Sequence, residues 1–307
     1  MLERHINART ADEIVAKKYD TDYTSELSSG QVINKMAGLA VAGQKRMTER
    51  HGSVLPNSRP GRIAHLGYNN GDHTRIFAHR SNVLGRSMGH SALQIATHEV
   101  VAAWHDMDQT SVIKGAPRMG LDEKSSAEML IDEMRKKHIP KEIADLAAYG
   151  ILGTWPVMNK AGVLVGQWAS VLDDYPSKEA EMEALVAGTC DLGDLYSSRS
   201  PFDSSNLYRQ REGYTPDQVP RPDNYIKHLT GQVGFLENHK YPIAQAEESF
   251  KRLQPEVASY AEKKLERVKK RLKGGVDKQE WAGIWKGVIS TDLSFMRDPK
   301  KNPPLDF

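Results

Sequence analysis

Apolar residues recur every three or four positions along most of the chain, and this spacing predicts amphipathic helices. One of these helices is predicted to begin at Ser91 or Gly89. Its residues 92–104 are apolar on nearly every side, so this helix is expected to be central. The other clear stretches cover residues 2–20, 31–50, 121–138, 141–152 and 178–196. No alternation of β-branched and polar residues favours a sheet, and the pattern predicts an all-α protein.

Polar segments containing proline divide the chain. Residues 53–62 are predicted as a loop, and residues 197–224 hold four prolines and form a long polar excursion. Additional C-terminal helices follow near 225–239 and 243–273, whereas 153–166 is left unassigned. We expect these C-terminal helices to pack on the same globule, because their apolar side chains need a surface to cover. The predicted organisation is residues 1–60 as N-terminal helices packed on the core, 61–200 as the core, and 201–307 as the polar loop and C-terminal helices.

Composition narrows the class of protein. The chain has 307 residues, of which 39% are hydrophobic and 27% charged, as expected for a globular protein. A formal net charge of +2 is too close to neutral to indicate a nucleic-acid partner, and none is expected. The one cysteine excludes an internal disulfide framework and fits a reducing compartment, so a cytoplasmic location is expected. No apolar run is long enough to span a membrane.

Residues 68–109 contain most of the candidate functional side chains. His73 follows a polar turn in which Asp72 is expected to cap a helix, and the doublet His105-Asp106 ends the apolar run of the central helix. Imidazole nitrogen together with carboxylate oxygen suits a borderline divalent metal. Each residue also has a plainer interpretation, His73 as a surface or capping residue and His105 as a hydrogen-bonded core histidine.

The order of these residues resembles the HD-domain superfamily of metal-dependent phosphohydrolases. The resemblance rests on Tyr-Asn-Asn-Gly-Asp-His before and including His73, on Trp-His-Asp at 104–106, on the helix start from Glu123 to Ala127, and on the distant Asp191. It covers roughly residues 60–200 and implies an HD-domain-like helical bundle there.

What the resemblance implies is one divalent ion (Mn, Ni, Fe, Zn, Co or Mg) bound by His73, His105, Asp106 and Asp191. Metal-activated water would attack the phosphorus of a phosphate mono- or diester, expected to be a nucleotide, with Asp106 orienting the water and Asp108 or Glu123 managing protons. Members with two metals usually carry two further histidines before the last Asp. Only His138 lies there, which favours a single ion.

Four residues are candidates for contacts with the substrate phosphate: Arg75, His79, His98 and Lys114. A basic residue in a loop or on a helix face is as often simply solvated, and a buried His98 could be a satisfied core histidine or could support a ligand.

A second function from a different class stays open. Residues 263–273 carry seven basic residues and one acidic residue. This face would suit a non-catalytic HD-like helical binding protein for an acidic partner or nucleic acid, although a solvated helix surface explains it more simply. An oligomer is also possible.

Overall fold

The computed structural model describes most of the first two thirds of the chain. The described residues are 9–19, 23, 25–51, 71–109, 120–158, 164–172 and 174–191, with a few positions further on (230, 243, 246, 266, 269–270, 273–275 and 279). The loop predicted at 53–62, Lys114, the polar excursion and seven of the eleven residues of the basic segment 263–273 lie outside them.

Seven α-helices and two short strands make up the regular structure of the described residues. The helices are α1 (Thr10–Ala16), α2 (Ser29–His51), α3 (Gly71–Ser87), α4 (Ala92–Trp104), α5 (Leu121–Lys136), α6 (Lys141–Gly153) and α7 (Lys178–Asp191). The strands are β1 (Pro156–Met158) and β2 (Leu164–Gln167), and a short 3₁₀ turn, Trp168–Ser170, follows β2. The all-α prediction is confirmed for this part of the chain.

Helix α4 is central, as its apolar sequence predicts. It packs against α2, α3, α5, α6 and α7, and Val100, Val101 and Trp104 are fully buried. Ser91 caps it: the Ser91 hydroxyl accepts from the backbone N–H of Gln94, while the Gln94 side chain accepts from the backbone N–H of Ser91. This cap fixes where α4 starts. Because α4 has a defined length, its start also determines the position of the residues that follow Trp104.

Close packing of α2 fixes α4 from one side. The Trp104 indole N–H donates to the Leu39 carbonyl at 2.9 Å. A Cβ on Gly43 would lie 2.3 Å from the indole nitrogen, so only glycine lets the two helices approach this closely. Larger residues at position 43 would displace Trp104 and the segment after it.

The segment from 153 to 166, which the sequence left unassigned, contains β1 and all but the last residue of β2, and the two strands pair in antiparallel fashion. Pro156 pairs with Gln167 and Val157 with Gly166. Strands of three and four residues are too short to produce a detectable alternation, and this explains why the pattern gave no sign of them. The hairpin places Gln167 beside the C-terminal end of α7.

Helix boundaries that fall within the described residues agree with the sequence pattern to within a few residues, with one correction. The predicted start of the first helix at residue 2 lies outside the described residues. Asp72 is not an N-cap, because α3 begins at Gly71 and includes Asp72 as its second residue. Pro140 does precede the first residue of α6, where its missing N–H costs nothing. The predicted extension of the last helix beyond Asp191 lies outside the described residues.

Candidate metal centre

Three helices bring the predicted ligands together. His73 lies in the first turn of α3, His105 and Asp106 directly follow the last residue of α4, and Asp191 is the last residue of α7. Helices α3, α4 and α7 pack against one another, so the start of the first meets the ends of the other two. The antiparallel arrangement of α3 with α4 places residues 32 positions apart in contact.

The four side chains face each other at short distances. Nε2 of His73 lies 3.2 Å from Nε2 of His105 and 2.9 Å from Oδ1 of Asp191. Nε2 of His105 lies 3.0 Å from Oδ2 of Asp106 and 3.5 Å from Oδ1 of Asp191. Atoms that each bind one ion at about 2.1 Å are separated by about 3 Å when they are neighbours in its coordination shell. The spacing therefore fits a shared ion.

The cluster is buried. The exposed fractions are 4% for His73, 1% for His105, 6% for Asp106 and 9% for Asp191. Buried carboxylates are costly unless positive charge or hydrogen bonds compensate them. His73, His105 and Asp106 form a buried group that could hold a metal ion, and the oxygen of Asp191 lies within 3.5 Å of both imidazoles.

Electrostatics within the cluster favour opposite charges. Burial alone would lower the pKa of His105, but the carboxylates of Asp106 and Asp191 raise it to about 10. Burial alone would raise the pKa of Asp106, but His105 and His73 lower it to about 2. The same two imidazoles hold the pKa of Asp191 well below its usual range, against the effect of burial. A dication can take the place of the imidazolium proton, and it balances both carboxylates where the single proton balances one.

A backbone contact sets the orientation of His105. Its Nδ1 lies 2.9 Å from the carbonyl oxygen of Ala102, where it donates a hydrogen bond. This leaves Nε2 directed at the cluster, with its lone pair free for a metal when the imidazole is neutral.

Two glutamines that the sequence analysis did not single out complete the arrangement. Nε2 of Gln109 donates to Oδ1 of Asp106 at 2.7 Å, and Nε2 of Gln167 donates to Oδ2 of Asp191 at 2.9 Å. Gln109, three positions after Asp106, could have been suspected from its place in the motif. Gln167 offers no sequence signal, because its role depends on a hairpin that the pattern did not reveal.

The residues predicted to manage protons lie on two segments that are in contact, the residues that follow the doublet and the first turn of α5. Asp108 is half-buried; its backbone N–H donates to Oγ of Ser126 at 2.9 Å, and its carboxylate lies 3.7 Å from Arg50. Glu123 is buried in the first turn of α5. Glu123 and Ser126 are three residues apart and share a face of α5, so Glu123 lies on the side of the helix that meets the Asp108 segment.

The four phosphate candidates have different surroundings. Arg75 is exposed on α3, and His79 is half-buried, with a pKa lowered by burial and by the adjacent Arg80. His98 is buried, and its two ring nitrogens face Glu183 and His90 rather than solvent. Lys114 lies outside the described residues.

Comparisons with known proteins leave the family assignment as a proposal. A scan against models of protein families, a search of curated proteins and a search of solved structures each found no match to this chain. Among the described helices, none combines the length and apolar character needed to cross a bilayer.

Proposed function

We propose that the protein is a metal-dependent phosphohydrolase that cleaves a phosphate mono- or diester, with a nucleotide as the expected substrate. The observation that supports this most strongly is the buried meeting of two imidazoles and two carboxylates from α3, α4 and α7 at distances of 2.9 to 3.6 Å. The order of those residues along the chain resembles that of the HD-domain superfamily, and the nucleotide class rests on that resemblance alone.

The donor set suits one divalent ion. Two neutral imidazoles and two carboxylates balance a charge of +2, and mixed nitrogen and oxygen donors suit Mn, Fe, Co, Ni or Zn better than Mg. When bound, such an ion polarises a phosphoryl oxygen and lowers the pKa of water toward neutrality, so that water can attack phosphorus.

The surrounding residues would then divide the remaining tasks. Asp106 would hold the ion and orient the attacking water through the same carboxylate. Asp108 and Glu123, on the two segments joined by the Ser126 contact, are the candidates for moving protons. Arg75 and Lys114 would contribute positive charge to the phosphate.

A metal analysis combined with an activity screen tests the proposal. Purified protein should retain about one equivalent of a divalent ion and hydrolyse nucleotides or p-nitrophenyl phosphate esters when supplied with Mn²⁺. His105→Ala should lose both properties. His138→Asn is the matched control: it also removes an imidazole, but from an exposed position with a positive φ of 58° that asparagine tolerates.

The outcomes separate the two functions considered for this chain. Metal binding without hydrolysis of any phosphate ester would favour a non-catalytic binding protein. Absence of metal after refolding in Mn²⁺, Ni²⁺ or Zn²⁺, with His105→Ala indistinguishable from wild type, would remove the basis of the proposal.

A further inference from the structure

We propose that Gln109 and Gln167 are positioning residues that hold the two carboxylates of the metal centre in one-oxygen coordination, and that the β1–β2 hairpin is the element that supplies Gln167. This inference rests on the proposed metal binding, and it concerns residues to which the resemblance assigns no role.

The two carboxylates are arranged in the same way. Asp106 directs Oδ2 at the imidazole of His105, while its other oxygen accepts from Gln109. Asp191 directs Oδ1 at both imidazoles, while its other oxygen accepts from Gln167. In each case the inner oxygen is available to an ion and the outer oxygen is occupied by an amide N–H.

The orientation of the Gln167 amide follows from its neighbours. One terminal atom of the amide lies 2.9 Å from Oδ2 of Asp191 and 3.3 Å from the carbonyl oxygen of Thr154. Both neighbours are acceptors, so this atom must be the nitrogen. The hydrogen bond to Asp191 is therefore a donation to the carboxylate.

The other terminal atom of the Gln167 amide, its oxygen, is buried without a hydrogen-bond donor among the described residues. Gln167 is 1% exposed, and its Oε1 has no hydrogen-bond partner among the described residues. A buried carbonyl oxygen without a donor is unfavourable, so packing alone would favour an apolar residue here. Retaining an amide makes sense if the hydrogen bond to Asp191 is what the position requires.

The helix opposite the hairpin leaves room for this side chain. A Cβ on Gly188 of α7 would lie 2.8 Å from Oε1 of Gln167. A Cβ there would displace the amide oxygen of Gln167, and it would also lie 3.1 Å from the carbonyl oxygen of Gly153. Glycine at position 188 therefore leaves room for the Gln167 amide beside Asp191, three positions further along α7.

Neutral donors suit a site for a dication. A lysine or arginine on the outer oxygens would also orient the carboxylates, but it would cancel the negative charge that attracts the ion. An amide orients a carboxylate without neutralising it. Holding each carboxylate to one oxygen would limit the protein to four donor atoms, and an ion held there could still bind water and a phosphate oxygen.

Replacing the amides while keeping their bulk tests the inference. Gln167→Met and Gln109→Met remove the donor at similar volume. Each should weaken Mn²⁺ binding, measured by calorimetry, by about 10- to 100-fold, as expected for loss of a partner of a metal ligand. The visible spectrum of the Co²⁺-loaded variants should also differ from that of wild type, because a carboxylate released to bind through both oxygens would change the set of donor atoms around the ion.

Val157→Ala is the control for the hairpin. Val157 packs against the core from β1, and its side chain has no hydrogen-bond donor to lose. It should retain the Mn²⁺ affinity and the Co²⁺ spectrum of wild type. If circular dichroism shows that Gln167→Met does not fold, the Mn²⁺ affinity and the Co²⁺ spectrum of Gln109→Met test the inference in its place.

The results separate this inference from the proposed function. Wild-type metal affinity and an unchanged Co²⁺ spectrum in the methionine variants would overturn the inference alone. Equal weakening by Val157→Ala would also overturn it, because packing of the hairpin and not the donor would then matter. A wild-type protein that binds neither ion would overturn both.

Discussion

Helices α4 and α7 meet in two buried histidine–carboxylate contacts, and only one of them is suited to a metal. At one end of the pair, His105 lies 3.5 Å from Asp191, with His73 and Asp106 beside them. Two turns earlier on both helices, His98 lies 2.8 Å from Glu183. Both contacts are buried, and both join the same two helices.

The difference lies in the direction of the ring nitrogens and in the number of carboxylates. Nε2 of His105 faces two carboxylates and a second imidazole, while its Nδ1 is fixed by a backbone carbonyl. For His98, Nδ1 faces Glu183 and Nε2 lies 2.9 Å from Nδ1 of His90. A single carboxylate supplies too little charge and too few donors for a dication, so we interpret the His98–Glu183 contact as a structural contact between the two helices. Burial of a histidine beside an acid does not by itself indicate a metal site.

The largest effect is expected from breaking the first contact. Loss of a residue that hydrogen-bonds to a metal ligand weakens binding by up to roughly 100-fold. His105→Ala should weaken Mn²⁺ binding by more than this, because it removes a ligand and leaves two carboxylates without the imidazole between them. Calorimetric titration with Mn²⁺ measures this. Wild-type affinity in the variant would show that His105 is not a ligand.

Breaking the second contact should affect stability and not metal binding. His98→Leu leaves the carboxyl group of Glu183 buried without its partner and should lower the free energy of unfolding by about 2 kcal/mol in urea titrations. The double replacement His98→Leu with Glu183→Leu should recover part of that loss. If His98→Leu instead abolished Mn²⁺ binding in folded protein, the distinction between the two contacts would be wrong.

The pH dependence of metal binding sharpens the same distinction. Since the two carboxylates raise the pKa of His105 to about 10, the metal-free cluster keeps a proton at neutral pH that an ion must displace. Mn²⁺ affinity should therefore increase by about tenfold per pH unit for each proton released, between about pH 7 and 9. The stability of the metal-free protein should change with pH in the opposite direction. The raised pKa of His105 contributes stability that is complete below about pH 6.5 and is lost as the pH rises toward 10. An Mn²⁺ affinity that does not change with pH would contradict this account.

The smallest effect should come from the start of α4, which supports both contacts equally. Ser91→Ala removes the hydroxyl of the capping box and should cost about 1 kcal/mol of stability. Thermal unfolding with and without Mn²⁺ should show the same decrease, because neither contact is altered directly. A decrease seen only with the ion present would mean that the cap positions the ligands.

Periodicity and motif order account for much of what the sequence could predict. The helical pattern predicted the central position of α4 because residues 92–104 are apolar on nearly all faces, and the order of His73, His105-Asp106 and Asp191 pointed to the side chains that the fold brings together. Whether they bind a metal stays a prediction.

Contacts between elements were beyond the reach of the pattern. The pairing of His98 with Glu183 depends on the register of α4 against α7, and the approach of Gln167 to Asp191 depends on a hairpin with strands too short to recognise. Asp72 illustrates a local error, because a residue suited to capping was placed one residue inside the helix.

The separation of His73 and Asp191 by 118 positions has a consequence for how the protein matures. A ribosome must translate the whole of α7 before the last ligand exists, so nascent chains ending earlier cannot assemble the complete centre. An ion captured afterwards would act as a crosslink between distant parts of the chain, opposing the entropy gained when they separate. Loading with metal would thus mark molecules translated beyond Asp191 and would protect them from proteases that digest transiently opened chains.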